Sequence, residues 1–179
     1  MTLEGEIRVM HQPDSQPIET LRLSDRDKHR LVQAIELKNA RPVQNERRSL
    51  RVSCPDLEVE VTVMNPSGQS VRLSVVPRNL ARGGLAFVHG RFVYPDSRVY
   101  IKMKEMSGEL VQLSGEIARC RHVAGIVHEV SIRFDETIEL TKFVELTDKQ
   151  SKLYYQEVAA ELRALTDEQP EADEPDEVW

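Results

Sequence analysis

A chain of 179 residues with 40% hydrophobic residues is long enough for one ordinary domain with extensions. Its formal charge of −6 at pH 7 excludes a strongly basic, nonspecific nucleic-acid binder. The last fourteen residues are rich in Asp and Glu and lack Lys and Arg, so the overall acidity says little about the folded part. Because no apolar run approaches the roughly 18 residues of a membrane span and the N-terminus has no signal-peptide pattern, we expect a cytoplasmic protein without a membrane segment.

The N-terminal part predicts an extension followed by a helix. Residues 1–23 contain prolines and many polar residues, and we expect them to be poorly ordered. Residues 24–44 predict a helix and a linker, with Ser24 placed to cap the helix and Asp27 in its first turn. Three apolar residues share one face of this helix: Leu31, Ala34 and Ile35. Such a narrow stripe must pack against another part of the protein.

Between residues 45 and 146 the hydrophobic period changes from helical to two. Six alternating apolar segments are separated by turn signals, and they span residues 57–63, 71–75, 85–88, 99–103, 110–123 and 130–134. Because no helix intervenes, the pattern predicts a mainly β fold, a six-stranded antiparallel β-barrel whose closure removes exposed edges. A barrel this small is filled by its own side chains, so a ligand would bind on its outside.

The C-terminal part predicts a helix over residues 147–165, followed by a disordered acidic tail over residues 166–179. Thr147 and Gln150 form a capping-box pattern at the start of this helix. Its apolar stripe consists of Leu153, Val158, Leu162 and Leu165. We expect the stripe to pack on the barrel or to be buried by a partner chain, including a homodimer through a helix.

Catalytic and metal sites have weak support in the sequence. Cys54 and Cys120 lack CxxC spacing and are expected to be reduced, buried thiols. Cys120, His122 and His128 match no known zinc pattern, so a structural role is favoured. No paired acid and base and no nucleophile elbow occurs. We therefore expect a protein that is not an enzyme, with no catalytic residue and no metal.

Two polar clusters could instead form a binding site. The first lies just before the first predicted strand and contains Arg47, Arg48 and Arg51. The second is a predicted turn that contains Arg78, Asn79, Arg82, Gly83 and Gly84. Guanidinium groups match phosphate oxygens and guanine edges, an amide side chain can pair with a base edge, and glycines with positive φ let a ligand approach the main chain. Taken alone, the arginines suit a solvated linker and the turn suits a hairpin with a bulge.

The combination of the two clusters resembles the PilZ domain family. The signature of that family is RxxxR followed, about thirty residues later, by [D/N]xSxxG; this chain has Arg47 to Arg51 and Asn79 to Gly84. The segments "GGLAF" and "GEIARCRHVAGIVHEVSIRFD" are also similar to PilZ strands, so the resemblance covers roughly residues 45–145. It implies a PilZ-like split barrel that binds the bacterial second messenger cyclic di-GMP without a cofactor. Binding would pass a signal to a downstream protein partner by conformational change.

The resemblance also implies roles for individual residues. Arg47 and Arg51 would contact phosphates and guanines, Asn79 would meet a guanine edge, and Gly84 would keep the turn open. The full set of predicted ligand-binding residues is Arg47, Arg48, Arg51, Arg78, Asn79, Ala81, Gly83 and Gly84. Ala81 departs from the family, which usually has serine there; one lost neutral hydrogen bond costs about 0.5–1.5 kcal/mol.

Two other functions remain open from the sequence. The departure at Ala81 and the two amphipathic helices suit a degenerate PilZ-like protein-interaction module that no longer binds the nucleotide. The arginines also suit a small RNA- or DNA-binding barrel, which would show steep salt dependence. Aromatic residues make up only 5% of the chain, which argues against nucleic acid because single-strand binders usually stack bases on aromatic side chains.

Overall fold

The computed structural model describes residues 18–21, 24–39 and 49–167, and every structural statement below concerns these ranges. The described elements are β1 (Ile18–Thr20), α1 (Asp25–Asn39), β2 (Val52–Ser53), β3 (Val59–Met64), β4 (Ser70–Ser74), β5 (Val76–Ala81), β6 (Gly84–His89), β7 (Arg98–Lys104), β8 (Leu110–Ala124), β9 (Val127–Phe134) and α2 (Asp148–Asp167). The prediction of a mainly β fold with an N-terminal and a C-terminal helix is thus confirmed. Neither helix has an apolar run long enough to span a membrane.

The described strands form one open sheet in the order β1-β4-β3-β7-β8-β9-β6-β5-β2. All neighbours are antiparallel except β1 and β4, which are parallel. The prediction of a closed, six-stranded antiparallel barrel is therefore wrong: the sheet is mixed, has nine strands and is not closed. β1 and β2 are too short to show an alternating pattern in the sequence. β1 also lies within residues 1–23, where we expected poor order.

The third strand that the sequence did not reveal is β5, which contains most of the predicted turn. Asn79 and Ala81 lie in this strand, and the turn itself is only Arg82 and Gly83. A register shift between Pro77 and Asn79 marks a bulge, which places the proline at an irregularity where its missing N–H is tolerated. Proline and asparagine are typical of turns, and they hid the alternation of this strand.

The main core lies on one face of the curved sheet and is aliphatic. Val61, Leu80, Ile101 and Ile117 are fully buried there, together with the ring of Phe87. The covering residues come from the C-terminal part of the chain: Ile138, Leu140, Phe143 and Tyr154. The opposite face of strands β5, β6, β9 and β8 does not belong to this core.

Helix α1 packs on a second, smaller apolar cluster. The Asp27 N–H donates to Ser24 Oγ at 3.2 Å, which confirms the predicted N-cap. Val32 and Ile35 are buried against Val76 and Val88. Ala34 was predicted to share the packed face but is exposed, because Val32 and not Ala34 completes the face with Ile35.

Helix α2 begins as predicted but packs with a different face. The Thr147 N–H donates to Gln150 Oε1 at 2.9 Å, and the Gln150 N–H donates to Thr147 Oγ1 at 3.4 Å, which confirms the capping box. Tyr154 is buried in the core and Val158 packs beside it. The other three members of the predicted stripe, Leu153, Leu162 and Leu165, are exposed and do not pack on the sheet, so their burial by a partner chain stays a prediction. Tyr154 of this helix points into the core, and the side chains of Glu157 and Glu161 form hydrogen bonds with other parts of the protein.

Candidate functional site

Four neighbouring strands, β5, β6, β9 and β8, carry a polar face opposite the core. Side chains alternate between the two faces of a strand, so residues two apart lie on the same side. Leu80, Phe87 and Ile132 point to the core. Their neighbours form two cross-strand rows on the other face: Asn79–Ala86–Ser131–Arg119 and Ala81–Gly84–Arg133–Glu116. Small residues thus form a floor on β5 and β6, and arginines stand on β8 and β9.

This face carries a cavity of about 320 Å³ that most of the predicted residues border. Predicted residues that line it are Arg51, Asn79, Ala81, Gly83 and Gly84, and the others are Ser49, Leu85, Ala86, Ala118, Ser131, Ile132 and Arg133. Arg51 reaches it because the next residue, Val52, pairs with Leu80 of β5. The pairing of β2 with β5 therefore brings the two sequence motifs together.

A smaller cavity of about 110 Å³ adjoins the first and shares Arg51, Ala86 and Ser131 with it. Its remaining lining residues are Arg78, Arg119, Arg121 and Glu129. We call the two cavities together the arginine groove. Its described lining contains five arginines, namely Arg51, Arg78, Arg119, Arg121 and Arg133, against the single carboxylate of Glu129. Arg78 and Arg121 pair with Glu129, and Arg133 pairs with Glu116, so the groove has an excess of positive charge in a chain whose overall charge is negative.

Glu129 forms ion pairs with two of these arginines. Its carboxylate accepts hydrogen bonds from Nη1 of Arg78 and from Nε of Arg121, and both Glu129 and Arg78 are buried. A buried charge is tolerated when it is paired in this way. Arg78 was predicted to bind a ligand; it lines the smaller cavity beside Glu129, and its role in binding stays a prediction. Arg121, whose side chain is 37% exposed, keeps part of its surface toward the groove.

The floor of the groove requires glycine at position 84 for a reason other than the predicted one. Neither Gly83 nor Gly84 has a positive φ, so the expected backbone freedom is not what they supply. A Cβ at Gly84 would lie 2.3 Å from the carbonyl oxygen of Ile132, because β6 and β9 approach each other closely here. At Gly83, in contrast, a Cβ would have no atom within 4 Å.

The residues just before Arg51 are hydrogen-bonded to helix α2. Ser49 Oγ donates to Glu157 Oε1 at 2.8 Å, and the Leu50 N–H donates to Glu157 Oε2 at 3.0 Å. One turn further along the helix, Glu161 accepts a hydrogen bond from Nη1 of Arg82 at the β5–β6 turn. The predicted ligand residues Arg47 and Arg48 lie outside the described residues, so they stay predictions.

The sequence reasoning missed several polar lining residues, namely Ser49, Arg119, Arg121, Glu129 and Ser131. A signal for the arginines exists, because Arg119 and Arg121 are two apart in a predicted strand and thus share one face. Arg133 of β9 also lines the larger cavity.

The cysteines and histidines form no second site in the described ranges. No group of three or more His, Cys, Asp or Glu residues there is arranged to hold a metal ion. Burial raises the pKa of the Cys120 thiol, which disfavours a reactive thiolate.

No protein-family model and no curated protein matches the sequence. Several solved structures are similar to this one. The PilZ domain of YcgR from Escherichia coli, a structure with c-di-GMP, is 14% identical with a TM-score of 0.41 over 70% of this chain and 100% of that one. The Bacillus subtilis inhibitor of motility, MotI, is 14% identical with a TM-score of 0.41 over 66% of this chain. This chain spans 52% of the length of MotI.

A third similar structure is the PilZ domain of CeSA from a cellulose-synthesizing bacterium, at 22% identity and a TM-score of 0.32 over 63% of this chain and 99% of that one. PilZ domains, which the sequence motifs resemble, are thus among the structures similar to this chain. Identities and TM-scores are low, so the chemistry of the groove has to follow from its own residues.

Proposed function

We propose that the arginine groove binds cyclic di-GMP and that the protein is a cytoplasmic, non-catalytic receptor for this messenger. The observation that carries the proposal is that residues of both sequence motifs border one cavity beside further arginines: Arg51, Asn79, Ala81, Gly83 and Gly84. Its larger cavity, about 320 Å³, lies within the range of about 300–1,000 Å³ that is usual for small-molecule sites.

The chemistry of the groove suits a guanine dinucleotide. Exposed guanidinium groups such as those of Arg51 and Arg119 can each offer paired donors to phosphate oxygens or to a guanine edge. The amide of Asn79 carries both a donor and an acceptor for a base edge. Small floor residues such as Gly84 and Ala86 leave room for a flat base to approach the sheet.

Signal transfer would use the segment that contains the arginine motif. Ligand contacts with Arg47 and Arg51 would act on a segment whose Ser49 and Leu50 bond to Glu157 of α2. A ligand that prefers one arrangement of the segment shifts its population, and the neighbouring helices report the shift. A downstream protein partner would read that change.

Isothermal titration calorimetry with cyclic di-GMP tests the proposal on the wild type and on an Arg47→Ala/Arg51→Ala variant. Each lost charge-assisted contact costs about 1.5–3 kcal/mol, so we expect the affinity to fall at least tenfold. Absence of any wild-type binding heat at high micromolar ligand would contradict the proposal.

A protein-interaction module is the second candidate, because α2 exposes large apolar side chains at Tyr155, Leu162 and Leu165. For this function, a partner would bind equally well with and without cyclic di-GMP. Replacement of Leu162 and Leu165 by Gln would then abolish partner capture while the fold, followed by circular dichroism, stays unchanged.

A further inference from the structure

The C-terminal segment of this chain is opposite in charge to the arginine groove. Residues 168–179 contain six carboxylate side chains, Glu168, Glu171, Asp173, Glu174, Asp176 and Glu177, and no Lys, Arg or His. The described lining of the groove contains five arginines and one glutamate. Opposite charges in one molecule attract at separations up to about a Debye length, roughly 10 Å at 0.1 M salt.

Helix α2, which precedes this segment in the chain, contacts the rim of the groove. Glu157 bonds to Ser49, which lines the larger cavity, and Glu161 pairs with Arg82, the neighbour of the lining residue Gly83. Two carboxylates of α2 therefore already contact the groove rim. The helix continues to Asp167, six residues beyond Glu161, which is about 9 Å at 1.5 Å per residue.

The segment is long enough to reach the whole groove. Twelve residues, 168–179, span up to about 40 Å when extended at about 3.3 Å per residue. The groove crosses four adjacent strands, which is about 14 Å at a spacing of about 4.8 Å. Its length along the strands, from Gly84 to the level of Glu129, is four residue steps or about 13 Å.

We propose that the acidic segment 168–179 occupies the arginine groove and competes there with the anionic ligand. The proposal rests on the proposed function for its ligand, but docking of the segment can be measured without nucleotide. A tethered segment acts at an effective concentration of about millimolar, so even weak pairing with the arginines keeps the groove largely filled. The apparent dissociation constant of the ligand then rises as the unfilled fraction of the groove falls.

The test compares two full-length variants that change net charge equally. The segment variant neutralises the six carboxylates: E168Q, E171Q, D173N, E174Q, D176N and E177Q. The control variant neutralises six carboxylates away from the groove: D56N, E58Q, E105Q, E109Q, E145Q and D148N. By calorimetry with cyclic di-GMP, we expect the segment variant to bind about five- to tenfold tighter than wild type, and the control to stay within about twofold. Equal affinities for the two variants would overturn the competition and leave the proposed function intact.

A second readout uses Trp179, the single tryptophan of the chain, which lies in the acidic segment. Without nucleotide, we expect its fluorescence anisotropy to fall in the segment variant and in an Arg119→Gln/Arg133→Gln groove variant. The anisotropy of the control variant should match wild type. If no protein binds cyclic di-GMP, the proposed function fails, and this readout still decides the docking. An anisotropy that is identical in wild type and groove variant would overturn the docking itself.

Discussion

At Gly84, strand β6 lies very near strand β9 under the groove. A Cβ there would lie 2.3 Å from the Ile132 carbonyl oxygen, which is a backbone atom that cannot move aside cheaply. We expect Gly84→Ala to lower the free energy of unfolding by about 1–3 kcal/mol, the usual cost of overpacking. Urea denaturation measures it, with Gly83→Ala as the matched control because nothing lies within 4 Å there. Equal stability of the two variants would show that the close approach is not constraining.

Ala81 lines the larger cavity where the resembled family usually has serine. If the groove binds cyclic di-GMP, a hydroxyl at this position adds one neutral hydrogen bond, worth about 0.5–1.5 kcal/mol. We therefore expect Ala81→Ser to bind about three- to tenfold tighter in calorimetry. An unchanged dissociation constant would show that the missing hydroxyl has no role in this protein.

His89 ties strand β1 to the end of β6 in its neutral form. Its Nε2 contacts the Glu19 carbonyl oxygen at 3.3 Å, and its Nδ1 accepts the Arg91 N–H at 3.1 Å. Burial lowers the pKa of His89 below its ordinary value, although Glu19 opposes the shift. The unfolded chain thus binds the proton more readily, so stability is fully present above about pH 6.5 and declines as pH falls toward the folded pKa.

Thermal unfolding between pH 7.5 and 5.5 checks this linkage. We expect the melting temperature of wild type to fall on acidification, and His89→Gln to show a smaller fall. His122→Gln serves as the control, because His122 is exposed and lies near the end of β8. A His89→Gln variant with the same pH dependence as wild type would exclude His89 as the cause.

At the scale of elements, helix α2 links Ser49 and Leu50, next to Arg51, to the rest of the protein. Glu157 accepts hydrogen bonds from Ser49 Oγ and from the Leu50 N–H. We expect Glu157→Ala to lower the free energy of unfolding by about 1–2 kcal/mol and to weaken nucleotide binding, since the segment loses its anchor. The neighbouring, exposed Gln156→Ala is the control for helix propensity. Denaturation and calorimetry on both variants measure the two effects, and equal behaviour would contradict the link.

The element boundaries that the sequence predicted best are those with local causes. The caps at Ser24 and Thr147 depend on residues three apart, and both hydrogen-bond patterns are present. Strand β5 was missed because its Pro77 and Asn79 are typical turn residues, and only pairing with β6 and β2 decides the conformation. Closure of the sheet depends on contacts between distant strands, which no local pattern specifies.

The candidate site, like the elements, was predictable from the sequence only where local spacing specifies it. The motif residues Arg51 and Asn79 were found from their spacing, and the structure places both at one cavity. Arg119 and Arg121 were not selected, because their membership depends on the neighbour order β5-β6-β9-β8. A strand order of this kind arises from long-range pairing and is not visible in any single segment.

At the scale of the whole molecule, the distribution of charge matters more for ligand binding than the net charge. The chain carries −6 in total, yet five arginines converge on one groove. Charges concentrated in a cleft attract a ligand of opposite sign more effectively than the net charge suggests. The salt dependence of the affinity distinguishes a compact dinucleotide from a nucleic-acid polymer, because polymer binding weakens steeply with salt in proportion to the phosphates contacted.

The proposed binding of cyclic di-GMP is tested most directly by titrating it into wild type, a groove variant and a charge-matched control. The groove variant is Arg51→Gln/Arg119→Gln, and the control is Arg91→Gln/Arg98→Gln, whose side chains are about half exposed and pair with Glu19 and Asp135 outside the groove. We predict wild-type binding that falls at least tenfold in the groove variant and stays within about twofold in the control. A wild type without binding heat, or equal losses in both variants, would contradict the proposal.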